Sequence, residues 1–133
     1  MGFDKFNIIT KKLDKDYLRL NIRKKEIKCG LSFFRYRDKD TRQIVIFVPA
    51  LDMTSYGATE EKAQEMMKFS MEEYSHYLTN LPAKKIELEL TGLGWKHNAL
   101  RNKEYSKAYV DISGELKNFN AVADKVERLT LVA

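Results

Sequence analysis

Cysteine occurs once in the 133 residues, as Cys29, so no disulfide can form within the chain and a reducing compartment suits it. No apolar run approaches the roughly 18 residues of a membrane-spanning helix, and Met1 to Lys12 lacks the apolar core of a signal peptide. A cytoplasmic protein with no membrane partner is the expectation. There are two histidines, His76 and His97, far apart in sequence; with one cysteine they give no metal-ligand spacing, and each reads as a surface residue. G-x-S-x-G, a glycine-rich phosphate loop and H-E-x-x-H are all missing. Neither a metal nor a cofactor is expected. No repeat, low-complexity tract or linker divides residues 1–133, which read as one domain burying roughly two-thirds of its unfolded surface.

The composition that is present, 44% hydrophobic and 32% charged, excludes both disorder and a membrane-embedded class. The formal net charge of +5 is unevenly spread: residues 1–43 carry +7, whereas 59–80 carry −3. A basic front half beside an acidic helix suits a nucleic-acid face, or self-association of front half with helix; a solvated surface of mixed charge is the plainer alternative.

The clearest architecture lies between Gln43 and Leu78. Ile44, Ile46 and Val48 on one side and Val45 and Phe47 on the other make a strand apolar on both faces. Pro49 must interrupt its pairing, and Asp52–Tyr56 reads as a second, short strand. After Gly57, Thr59 is positioned to cap a helix whose first turn holds Glu60 and Glu61. Its apolar or small residues, Ala63, Met66, Met67, Ser70, Met71, Tyr74, Tyr77 and Leu78, recur in steps of three and four and predict one stripe facing a sheet. Ahead of this unit, Leu18, Leu20 and Ile22 alternate with polar residues over 17–24. Ile27, Cys29, Leu31 and Phe33 continue an apolar face through Arg37, with Gly30, Ser32, Phe34 and Tyr36 on the other, so Cys29 reads as a packed, inert thiol. Asp38–Arg42 has hairpin length but no glycine. Residues 1–15 show no clean period. Beyond the long helix, Pro82 can open a second, shorter helix that Gly92 can close. Trp95 reads as a loop anchor, 97–103 as polar loop, 105–112 and 126–132 as strands, and 111–125 as ambiguous with room for a helical turn.

The order strand, Val48-Pro49-Ala50-Leu51-Asp52, short strand, Tyr56-Gly57-x-Thr59, then Glu60-Glu61-x-Ala63 opening a helix resembles the HicB-like antitoxin domain, a partial RNase H-like fold. The resemblance covers residues 27–78, within a β-β-β-α unit at 27–80. In one respect the chain departs from it: Lys62 stands where the family usually closes a capping box with a carboxylate. The resemblance implies an antiparallel sheet carrying one long helix, a small toxin ribonuclease as partner, and no catalysis of the chain's own. Its RNase H aspect invites a search for clustered carboxylates holding two Mg²⁺ ions, but Asp38 and Asp40 fall in a turn and Asp52 at a strand start. The family's DNA-binding appendage is not recognisable.

The expected fold is therefore α+β: an antiparallel sheet of three to four strands, one long helix across it, and residues 81–133 as a smaller helix-and-strand appendage. The expected function is non-catalytic binding and masking of a small partner protein; the alternative is an RNA-binding module using the basic front half. Candidate contact residues are Arg19, Arg23, Phe34, Arg35, Tyr36, Arg37 and Arg42, since interleaved aromatics and guanidinium groups can stack bases and neutralise phosphates. The structural alternative puts Phe33 in the core, Phe34 and Tyr36 on the sheet's other face, and the arginines beside a turn. Two apolar faces on 43–48 under a single helix also point to a homo-oligomer.

Overall fold

The computed structural model describes residues 6–13, 15–98, 104–108 and 121–133. The fold is α+β: the described residues form one open antiparallel sheet of eight strands with two helices. The strands are β1 (Asn7–Ile9), β2 (Lys15–Asn21), β3 (Glu26–Asp38), β4 (Ile44–Val48), β5 (Met53–Gly57), β6 (Lys96–His97), β7 (Glu104–Ala108) and β8 (Ala121–Val132). Helix α1 spans Glu60–Thr79 and α2 spans Ala83–Gly92. The class agrees with the sequence reading; the sheet is about twice as large as expected.

The thirteen-residue strand β3 is the spine. Along one edge its first half pairs with β2, Gly30 opposite Tyr17, and its second half with β4, Phe34 opposite Phe47. The other edge pairs with β8 from Gly30 to Asp38, and mutual bonds between Cys29 and Ala133 extend that ladder. Residues 81–133 are therefore no appendage to the sheet, because β6, β7 and β8 belong to it. Residues 121–125, expected to be ambiguous or helical, are the start of β8; the expected strand at 109–112 and any helical turn at 111–120 lie outside the described residues.

Alternation dictates the faces. Leu18, Leu20, Ile27, Cys29, Leu31, Phe33, Ile44, Ile46, Val48, Leu129 and Leu131 point into one cluster. Ala63, Met67, Met71 and Leu78 of α1 and Ile86 and Leu90 of α2 complete it. Each Leu, Ile, Val, Phe or Met among them contributes roughly 1.5–3 kcal/mol relative to exposure. The burial of Ile86 and Leu90, with Leu88 at 69% exposure, fits α2 as a helix, since a strand would put all three on one face. Residues 11–13 lie across the sheet's other face, where Thr130 and Arg128 donate to the carbonyls of Lys11 and Leu13. Val45 and Phe34, which point to this second face, are 3% and 5% exposed within one chain. Val45 therefore needs no second copy to be buried, whereas Phe47, the other β4 side chain on this face, is half-buried and Tyr56 beside Val45 is exposed.

Local chemistry sets the boundaries. Thr59 caps α1, its hydroxyl accepting from the Lys62 amide at 3.2 Å. Gly57 is required by proximity rather than by φ: a Cβ there would lie 2.3 Å from the Ala63 nitrogen. Pro82 is the N-cap of α2 rather than its first residue, and its carbonyl accepts from Lys85 and Ile86. Helix α2 ends at Gly92, as expected; beyond it Gly94 takes the left-handed position at φ +91°, and bonds from Gly94 to Thr91 and from Trp95 to Leu90 close the terminus. Two tight turns use non-glycine residues at positive φ, Lys25 at 55° and Arg42 at 63°. The first divides the expected strand 17–24 after Asn21, where the Asn21 side chain accepts from the Lys24 amide. In the second, the Asp38 carboxylate accepts from Asp40 and Thr41. Trp95, 2% exposed, donates to the Ala50 carbonyl at 3.0 Å and anchors its segment as expected.

Candidate protein-binding surface

The basic and aromatic residues singled out from sequence do not form one surface. On β3 they alternate: Arg35 and Arg37 project to the helix-bearing face, Phe34 and Tyr36 to the other. Phe34 is 5% exposed, so it cannot serve as a stacking platform as placed, and Tyr36 is half-buried. Burial, then the nearby Asp38 charge, raises the Tyr36 phenol above its ordinary pKa. The Arg35 guanidinium is engaged by Glu127 at 3.1 Å and lies 3.8 Å from Glu60. Arg37 donates to the Arg42 carbonyl at 2.6 Å, which ties both to the β3–β4 turn. Arg19 is remote from this group: it pairs with Glu104 at 2.8 Å and lines, with Lys15, Tyr17 and Ser106, a cavity of about 280 Å³. Arg23 is exposed in the β2–β3 turn. The structural alternative for Phe33, Phe34, Tyr36, Arg37 and Arg42 therefore describes what is found.

The histidines stand apart from one another: His76 is exposed beside Glu72 at 3.3 Å, whereas His97 is half-buried rather than at the surface, its Nδ1 3.2 Å from Glu87. Cys29 is fully buried, and burial pushes its thiol up to about 12. Among the described residues no three His, Cys, Asp or Glu side chains come together in a way that could hold a metal ion. No helix among them is long and apolar enough to cross a membrane.

A different surface emerges on α1. The sequence reading placed Met66 and Tyr77 in one stripe with the inward residues and left Phe69 outside it, whereas the structure separates two rows. Ala63, Met67, Met71 and Leu78 are 0% exposed, with Tyr74 packed beside them; Met66, Phe69 and Tyr77 are 49%, 45% and 52% exposed. At 3.6 residues per turn the outer three lie about 100° around the helix from the inner set. Tyr77 continues into Tyr74, ring centroids 6.0 Å apart, and the Tyr74 phenol is raised above its ordinary pKa by burial, then by the charge of Glu89 on α2. Exposed Glu61, Glu65 and Glu73 lie on the same helix, with Lys62 their exposed basic neighbour. Three large apolar side chains left half in water beside carboxylates are unusual for a helix already packed against its sheet. The spacing 66, 69, 73, 77 was the signal in the sequence, masked because Glu73 interrupts it.

The β3–β4–β5–α1 unit runs as a meander followed by a helix, and among the described residues β5 pairs with β4 alone. Compared with protein-family models, curated proteins and solved structures, the chain matches none.

Proposed function

We propose that this chain is a non-catalytic binding protein of the HicB-like antitoxin kind, which holds a small basic partner protein, a toxin ribonuclease, against the outer face of α1 and masks its surface. The observation that carries the reading is the half-exposed row Met66, Phe69 and Tyr77, with Glu65 and Glu73 one helical turn from Phe69 and Lys62 one turn before Met66. Aromatic and methionine side chains are the residues that interfaces concentrate at their centre. The carboxylates select a partner of opposite charge and speed encounter with it. The strand-turn-helix junction at Tyr56-Gly57-x-Thr59 supports the family resemblance, because the contact of Gly57 with the α1 backbone and the Thr59 cap give both motif residues a mechanical role. The free, buried Cys29 is compatible with a cytoplasmic setting.

RNA on the basic front half is the weaker reading, since Phe34 is buried and Arg35 is held by Glu127. A second copy of the chain, its basic half against the acidic helix, is the other competing occupant. Affinity capture separates the three. With the wild-type chain, a small basic protein should co-purify whether or not nuclease is added. The triple variant Met66→Ser/Phe69→Ser/Tyr77→Ser should lose it. Capture of nuclease-sensitive RNA, or of the chain itself alone, would reverse the assignment.

A further inference from the structure

Between α2 and the β2–β7 pair lies a cavity of about 270 Å³, on a side of the fold that the α1 surface does not use. Leu20 and Ile22 line it from the sheet side and Ile86 from the helix side. The polar part of the lining is three side chains: Glu87 of α2, His97 of β6 and Tyr105 of β7. His97 Nδ1 lies 3.2 Å from a Glu87 carboxylate oxygen, and the imidazole stacks on the Tyr105 ring, centroids 4.5 Å apart and planes within 11°. Glu87 is half exposed, so this polar group marks the opening, whereas Leu20, Ile86 and Tyr105 are buried.

Three properties of this cavity select a ligand. Its volume is nearly twice the roughly 150 Å³ that accommodates benzene and just below the usual lower bound of about 300 Å³ for larger ligands, so it suits one ring with a short arm. Its lining is mostly aliphatic and aromatic, which favours an apolar body. Among the described residues that line it, Glu87 is the single Asp or Glu and no Lys or Arg is present; His97 lies against one oxygen of the Glu87 carboxylate. The field of that carboxylate reaches the wall, since the Tyr105 phenol is raised above its ordinary pKa by burial and then by Glu87. An anionic ligand meets repulsion there. A cation meets the carboxylate and the face of a stacked aromatic pair.

We propose that this cavity is a binding site for a small amine: a single-ring apolar body seated against Ile86 and Tyr105, with a cationic amino group on Glu87. It goes beyond the protein-binding reading and does not depend on it.

The test uses three probes of one shape and different charge, 2-phenylethylamine, 2-phenylethanol and phenylacetate, titrated at pH 7.5 into the full chain and followed by calorimetry and amide chemical shifts. The amine should bind about tenfold tighter than phenylacetate, a difference of about 1.4 kcal/mol, with the alcohol between them and shifts centred on Ile22, Glu87 and Tyr105. Glu87→Gln should weaken the amine about fivefold or more and leave the alcohol unchanged. Ala83 lines the cavity from an exposed position, so Ala83→Trp should block all three probes without entering the core; circular dichroism confirms that both variants fold. Binding of phenylacetate as tight as the amine overturns the proposal. So does absence of saturation by the amine at about 10 mM, well above the millimolar range where such contacts register, or amine binding that survives both substitutions.

Discussion

Replacing Gly57 by alanine probes the junction on which the α1 surface depends. An added Cβ would lie 2.3 Å from the Ala63 nitrogen, 2.7 Å from the Lys62 carbonyl carbon and 2.8 Å from the Ala63 Cα, against about 3.5–4.0 Å for unstrained carbon contacts. These are backbone atoms of the first turn of α1, and the Ala63 amide is already committed to the Thr59 carbonyl at 3.0 Å. On the other side Gly57 is held in register opposite Ile44. Relief must lift the helix start or slip the end of β5. Overpacking of this kind costs about 1–3 kcal/mol, and a weakened helix-start hydrogen bond adds about 1 kcal/mol. A loss of about 2–4 kcal/mol follows, or roughly 8–16 °C in Tm at about 4 °C per kcal/mol for a chain of this size. Urea unfolding read by Trp95, the only tryptophan and 2% exposed, gives the number directly. Gly92→Ala is the control: nothing lies within 4 Å of its added Cβ, so stability should be unchanged or rise by up to about 1 kcal/mol. A Gly57→Ala variant within about 0.5 kcal/mol of wild type, the range of inert surface changes, would refute the reasoning.

Met71→Ala should cost about 2–5 kcal/mol, as its side chain is fully buried, whereas exposed Glu65→Ala should stay within about 0.5 kcal/mol; equal losses in urea melts would place the helix differently. Asp16 is buried with one carboxylate oxygen accepting from the amide and hydroxyl of Ser32, and burial raises its pKa despite those bonds. A raised pKa makes its contribution largest at low pH and diminishes it as pH rises through the carboxylate range. Asp16→Asn should therefore gain stability relative to wild type between acidic and neutral pH, while Asp16→Ala, leaving the Ser32 amide without that acceptor, should lose about 1–3 kcal/mol. The Cys29 thiol, held at about 12 against an ordinary 9.0, should react with a disulfide reagent at pH 8 only as the chain opens. Its contribution to stability should be intact below pH 9 and lost as pH climbs toward 12.

What could be read from sequence was the structure written in local periods. Alternation from Ile27 to Phe33 and the three-and-four spacing of Ala63, Met67, Met71 and Leu78 each find their partner by geometry alone, so β3, β4 and α1 emerged with boundaries near the observed ones. The strand β1 did not, because three residues pair with β8 across more than a hundred positions and carry no period of their own. The β2–β3 turn was hidden because Lys25, not glycine, takes the left-handed position. The site was read less well for a related reason. A sequence shows that Phe34 and Arg35 are adjacent; it does not show that the pleat sends them to opposite faces of the sheet, or that Phe34 is covered there. Pooling Met66 and Tyr77 with the inward residues concealed the apolar row of α1 that meets water.

The central claim is that the outer face of α1 is the partner-binding surface, and calorimetric titration of the captured partner tests it most directly. Wild-type chain, the Met66→Ser/Phe69→Ser/Tyr77→Ser variant and an Arg35→Ala/Arg37→Ala variant would be compared at low and physiological salt. Interface anchors of this kind contribute about 2 kcal/mol or more each, so the triple variant should bind at least about 100-fold more weakly, while the arginine variant stays within about threefold of wild type, near the limit for residues outside an interface. Unchanged affinity in the triple variant, or a loss confined to the arginine variant, would contradict the account.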